Sequence, residues 1–103
     1  MTAPRAFVAV FTIELHFPDV TGLKAKRSEL APVRAHLQRV GATVAEVGHQ
    51  DQWQRATLVA ALAGGSPGRL ESAIDGVQRW LDARFAHGAR VDRYLTSLED
   101  LAG

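Results

Sequence analysis

VAEVGHQDQWQRATLVA, residues Val44–Ala60, sets two alternating stretches on either side of a polar run. Val44 to Val47 alternates between two faces and Arg55 to Ala60 does the same, which is the period of an extended strand. His49 to Gln54 interrupts the alternation, so the pattern predicts a hairpin turning at Gln50-Asp51. In that register Glu46 lies opposite Arg55, Gly48 opposite Trp53 and Val44 opposite Thr57. All six are expected to face solvent, because their alternates Ala45, Val47, Ala56 and Leu58 are better core residues.

Upstream, Phe7, Phe11, Ile13, Leu15 and Phe17 share one side of a first strand, with Val8, Val10, Thr12, Glu14 and His16 on the other. Pro18 ends that strand and Asp19 to Gly22 form a loop. Leu23, Leu30, Val33, Leu37 and Val40 recur at helical spacing, and Gly41 supplies a stop. Pro32 removes a backbone donor and clashes with the carbonyl four residues back, predicting a kink or a fresh helix start. The hairpin strands are expected over residues 42–48 and 53–63.

Downstream, Ser66 is a candidate N-cap with Pro67 at the first helical position. Leu70, Ile74, Val77, Leu81 and Phe85 form the stripe of a second helix that ends at His87-Gly88. Arg90 to Leu98 alternates weakly as a last strand before a polar tail. The order is βαββαβ. With right-handed crossovers it predicts a ferredoxin-like α+β sandwich, a four-stranded antiparallel sheet of order 4-1-3-2 with both helices on one face. Residues 1–103 form a single domain in this reading.

Composition narrows the function classes. Of 103 residues, 47% are hydrophobic and 22% charged, the balance of a folded globular domain. A net charge of +1 argues against whole-domain attraction to nucleic acid or membrane, so any basic surface is local. The absence of cysteine removes thiolate nucleophiles, disulfides and cysteine-ligated metals. Met1–Arg5 lacks the pattern of a signal peptide, and no apolar run approaches the roughly 20 residues that span a bilayer. A soluble cytoplasmic protein is expected.

The predicted register gathers Glu14, His16, Glu46, His49, Gln50, Asp51, Trp53 and Arg55 at one end of the sheet, with Arg55 between Glu14 and Glu46. Read structurally, this is a cross-strand ion-pair row, each pair contributing roughly 0.2–1 kcal/mol. Read functionally, it is a ligand, partner or catalytic site. Arg55 between two carboxylates keeps both ionised, the opposite of what a general acid needs. His49 and Asp51 lack a distinctive metal-ligand spacing, and no nucleophile elbow, P-loop or dinucleotide glycine pattern occurs. Enzyme activity is therefore disfavoured, and neither a metal nor a cofactor is expected.

Lys24, Lys26, Arg27, Arg34 and Arg39 make a basic first helix in which Glu29 is the single acid. Such a face can meet RNA phosphates, and a solvated helix surface has the same composition. Stacking of bases on the open sheet is disfavoured, because its central positions include Val10, Thr12, Glu14, Arg55 and Thr57. Val8, Val10, Val44 and Val59 leave an apolar half of that sheet uncovered, which invites a two-fold homodimer.

Three blocks carry a family resemblance. Ile13-Glu14-Leu15-His16-x-Pro18, Leu23-Lys24-x-Lys26-Arg27 and Ala45-Glu46-Val47-x-His49-Gln50-Asp51-x-Trp53-Gln54-Arg55-Ala56 resemble the YlxP-like family of small bacterial proteins, over roughly residues 6–98. The resemblance implies a ferredoxin-like fold and no established activity. Family members are frequently encoded beside translation and ribosome-maturation factors, which suggests a ribosome or RNA role. This chain departs from the family at Gly22, where serine is usual, at Gly48, where a polar residue is common, and at Pro32.

Three functions follow as expectations: an accessory protein binding RNA or a ribosomal particle through the basic helix; a homodimeric interaction module using the open sheet and the His49–Arg55 hairpin; and a small-molecule binder or enzyme.

Overall fold

The computed structural model describes residues 5–86 and 88–103. Strand β1 (Phe7–His16) leads to helix α1 (Leu23–Arg39), strands β2 (Thr43–Gly48) and β3 (Arg55–Gly64), helix α2 (Pro67–Arg84), strand β4 (Ala89–Ser97) and a short helix α3 (Leu98–Ala102). The sheet order is β2-β3-β1-β4, with β1 antiparallel to both β3 and β4 and β2 antiparallel to β3. This is the expected α+β βαββαβ sandwich, with both long helices on one face.

Its core follows from amphipathic patterning. Phe11, Ile13 and Leu58 from the sheet meet Val33 and Leu37 from α1 and Ile74, Val77 and Leu81 from α2, all at most 1% exposed. Each such burial contributes roughly 1.5–3 kcal/mol. Ser66 caps α2 by accepting a hydrogen bond from the Arg69 amide at 3.5 Å, with Pro67 just inside the helix. Gly22 stands at the N-cap of α1 and provides no side-chain cap.

Three expectations about the elements change. Helix α1 runs through Pro32 without restarting. The roughly 3 kcal/mol that an interior proline costs is offset by buried residues on both sides of it, Leu30 before and Val33 and Leu37 after. The polar tail is helical at its start, because Ser97 accepts a hydrogen bond from the Asp100 amide at 3.1 Å and Leu98 donates its amide to the Ala6 carbonyl. Helix α2 ends at Arg84 with Phe85 as its cap, and the predicted stop at His87 lies outside the described residues.

Side chains also tie the layers together. On the helix face of the edge strand β4, Arg93 holds Glu71 at 3.0 Å and Asp75 at 2.7 Å, both on α2. Burial opposes the Arg93 charge, but these bonds outweigh it and hold its pKa above the ordinary value. Between the helices, His36 stacks on Trp80 with centroids 4.3 Å apart and planes 8° from parallel. Burial, and then the Arg39 charge, lower the His36 pKa from its usual 6.5.

A histidine whose folded-state pKa is lowered binds its proton better in the unfolded chain, so stability rises with pH. The His36 contribution is complete above the unfolded value of 6.5 and declines as pH falls from there towards the lower folded value. Urea titrations between about pH 8 and about pH 5 should show this loss in the wild type and a smaller one in His36→Phe, which keeps the stack without the titration. Identical pH profiles for the two proteins would remove His36 from the account.

Candidate functional site

The hairpin is not a two-residue turn. Its loop carries His49 in the left-handed conformation, φ 59°, and closes through the Gln52 amide donating to the His49 carbonyl at 3.0 Å. Strand β2 contains a bulge: Glu46 pairs with Leu58, but Gly48 already pairs with Thr57. The predicted partners are therefore wrong, and Val44 lies opposite Ala60. The error is of odd size, and an odd slip moves every side chain of a strand to the other face. Val44 and Glu46 accordingly face the helices, with Val44 against the core, while Val47 is 53% exposed. Past the bulge Gly48 returns to the open face, where a Cβ would come within 3.1 Å of the Thr57 side chain.

Glu46 faces inward because it meets Lys26. Spaced with Leu30, Val33 and Leu37, Lys26 belongs to the buried stripe of α1 and is 2% exposed. Its Nζ lies 2.8 Å from Glu46 Oε2 and donates to the His49 carbonyl at 2.6 Å. The contact with Glu46 is an ion pair outside hydrogen-bond geometry, so charge alone holds that buried oxygen. Lys26 thus leaves the predicted basic surface. Lys24, Arg27 and Arg39 remain exposed and Arg34 is half-buried, and none of the four forms an ion pair with a described carboxylate.

The second leg of the loop is fastened to the segment after β1. The Phe17 amide donates to the Gln54 carbonyl at 2.7 Å, and Gln54 Nε2 donates to the carbonyls of Pro18 at 3.2 Å and Val20 at 3.4 Å. On the first leg Gln50 Nε2 donates to the Glu46 carbonyl at 3.2 Å. Fastened on both legs, the loop displays Asp51, Trp53 (51% exposed) and Arg55 to solvent.

The predicted polar cluster separates into two layers. Glu46 and the His49 carbonyl lie inside as supports. Glu14, His16, Asp51, Trp53 and Arg55 surround two open clefts, of about 420 and 350 Å³, that share His16 and Arg55. Arg55 does not bridge Glu14 and Glu46. It pairs in register with His16, while Glu14 accepts a hydrogen bond from Thr57 Oγ1 at 2.8 Å and lies opposite Arg90. Sequence reasoning missed Lys26, Thr57 and Gln54 as positioning residues; for Lys26 the signal was its helical spacing with the apolar stripe. Among the described residues, no three potential metal ligands lie together. No helix among them is long and apolar enough to cross a membrane.

Removing Lys26 leaves Glu46 and the His49 carbonyl unanswered. Breaking a buried pair costs roughly 3–5 kcal/mol. With Glu46 19% exposed, Lys26→Met should lose about 3 kcal/mol, the lower end of that range, in urea unfolding. Combining it with Glu46→Leu should recover much of the loss, and a strictly additive double variant would refute the clamp.

A family model described as "Protein of unknown function (DUF503)" matches residues 8–93. No curated protein matches the sequence. Among solved structures, the de novo designed protein Foldit4 superposes with a TM-score of 0.57 at 10% identity, covering 88% of this chain and 96% of the design. A dimeric ferredoxin-like protein from an uncultured marine organism gives 0.50 at 8% identity, over 91% and 95% of the two chains. SnoaB, a cofactor-independent oxygenase from Streptomyces nogalater, gives 0.50 at 14% identity, over 86% and 90%. At these identities the likeness is one of fold.

Proposed function

The chain belongs to the DUF503 family, and we propose that it works as a homodimeric protein-interaction module whose recognition element is the loop between β2 and β3. One observation carries this reading: the loop is fastened from inside by Lys26 and from the side by Gln54, yet it presents Trp53 and Arg55 outward. Tryptophan and arginine are the residue types enriched at binding hot spots, and a prefixed loop loses little entropy on docking. The open sheet face supports self-association, since Val10 (37%) and Tyr94 (66%) are exposed as register neighbours. The marine neighbour of the same fold is described as dimeric. Sedimentation equilibrium should give a dimer for the wild type and a monomer for Val10→Glu; a wild-type monomer would refute self-association.

A second reading is RNA or ribosomal-particle binding along α1. It is favoured by Lys24, Arg27, Arg34 and Arg39 having no carboxylate partners among the described residues. Affinity capture with and without nuclease separates the two. For the loop reading, the captured protein survives nuclease and Lys24→Glu/Arg27→Glu, and binds Trp53→Ala at least about 30-fold more weakly, the loss of a hot spot. Capture lost to nuclease, to higher salt and to the charge variant, but indifferent to Trp53, would select RNA instead.

A further inference from the structure

A third depression lies beside the clamped loop, between the segment after β1 and the C-terminal end of α2. Its volume is about 150 Å³, and it has His16 in common with the two clefts beside the loop. Phe17, Val20 and Phe85 form an apolar floor, with the two phenylalanine rings 5.7 Å apart. Cavities of about this volume accept a benzene-sized apolar group.

Its rim carries two carboxylates, one of them the single acid of helix α1. Asp19 and Glu29 line it, and neither forms an ion pair or hydrogen bond through its side chain among the described residues. Arg84 also lines it, but its guanidinium lies over the Trp80 ring at 5.5 Å and the Phe85 ring at 6.0 Å. The C-terminal end of the 18-residue helix α2 is at the same rim, and such an end favours a cation. Arg84 is held over the two rings and pairs with neither carboxylate, so the apolar floor with two unpaired carboxylates suits an apolar group with positive charge beside it.

The surroundings identify the kind of molecule. Gln54 joins the loop to the Pro18 and Val20 carbonyls, so the depression and the Trp53 cleft lie on either side of one hydrogen-bonded seam, with His16 common to both. An extended chain crossing that seam occupies both. We infer that the depression between Phe17, Val20 and Phe85 receives an apolar side chain of a partner's extended segment, flanked by lysine or arginine that Asp19 and Glu29 neutralise. This rests on the docking reading and gives the partner its chemistry.

The test is an NMR titration of the isotope-labelled chain with three capped tripeptides: acetyl-Lys-Leu-Lys-amide, acetyl-Glu-Leu-Glu-amide and acetyl-Lys-Gly-Lys-amide. The first should shift the Val20, Glu29 and Phe85 amides, and the other two should leave them in place. Affinity for the first should fall about tenfold in Asp19→Asn/Glu29→Gln, the sum expected for two exposed ion pairs. Equal shifts from all three peptides, no shifts from the first, or an unchanged affinity in the double variant would overturn the inference. Trp53→Ala separates it from the loop reading. Partner capture that depends on Trp53 alongside a failed titration sinks the inference alone. A successful titration alongside Trp53-independent capture sinks the loop and supports the depression.

Discussion

An ammonium group removed from water must be met by charge and hydrogen-bond acceptors, or the several kcal/mol lost in desolvating it go unrecovered. Lys26 sets that condition for the whole β2–β3 end of the sheet. Its place on the inner stripe of α1 carries the ammonium beneath β2, where a carboxylate and a carbonyl must be waiting. Glu46 therefore points inward, the chain bulges to bring Gly48 back over Thr57, and His49 adopts the left-handed turn that offers its carbonyl. One buried cation thus joins a helix, an edge strand and a loop. Gln54 does the corresponding work from the other leg, tying the loop to the segment leaving β1.

The outcome is a division of labour within a short polar run. Glu46 and the backbone of His49 hold, while Asp51, Trp53 and Arg55 are held out. Residue types that look alike on paper end up on opposite sides of the sheet. The same separation runs through the basic residues of α1, where Lys26 is structural while Lys24, Arg27 and Arg39 are exposed and, like the half-buried Arg34, form no ion pair among the described residues.

Much of the fold was legible because its faces differ strongly in polarity. In β1 the alternation of Phe11, Ile13 and Leu15 with Thr12, Glu14 and His16 allows one orientation only. The stripes of α1 and α2 are equally clear, and the strand order follows from chain connectivity. Strand β2 was not legible, because Val44 and Glu46 on one face and Ala45 and Val47 on the other are nearly balanced in polarity. Its orientation is decided instead by the buried Lys26, and the bulge and left-handed His49 that accommodate it are not encoded in alternation. Lys26 misled for a related reason: charge argued for the surface while helical spacing argued for the core, and spacing won because partners were in place. At the site, the gathering of His16, Trp53 and Arg55 followed from where strands end, whereas the Glu14–Arg55–Glu46 bridge failed with the register that implied it.

The bulge has one more effect, on how sheets meet one another. Strand β2 is an outer strand of this sheet, and an outer strand offers free amide and carbonyl groups to any extended chain that drifts alongside. Here the strand is only six residues long, and its ladder is broken just before the loop. A broken, locally twisted margin makes a poor template for continuing the sheet sideways from molecule to molecule. The irregularity beside Glu46 therefore also blunts this edge of the sheet against edge-to-edge pairing.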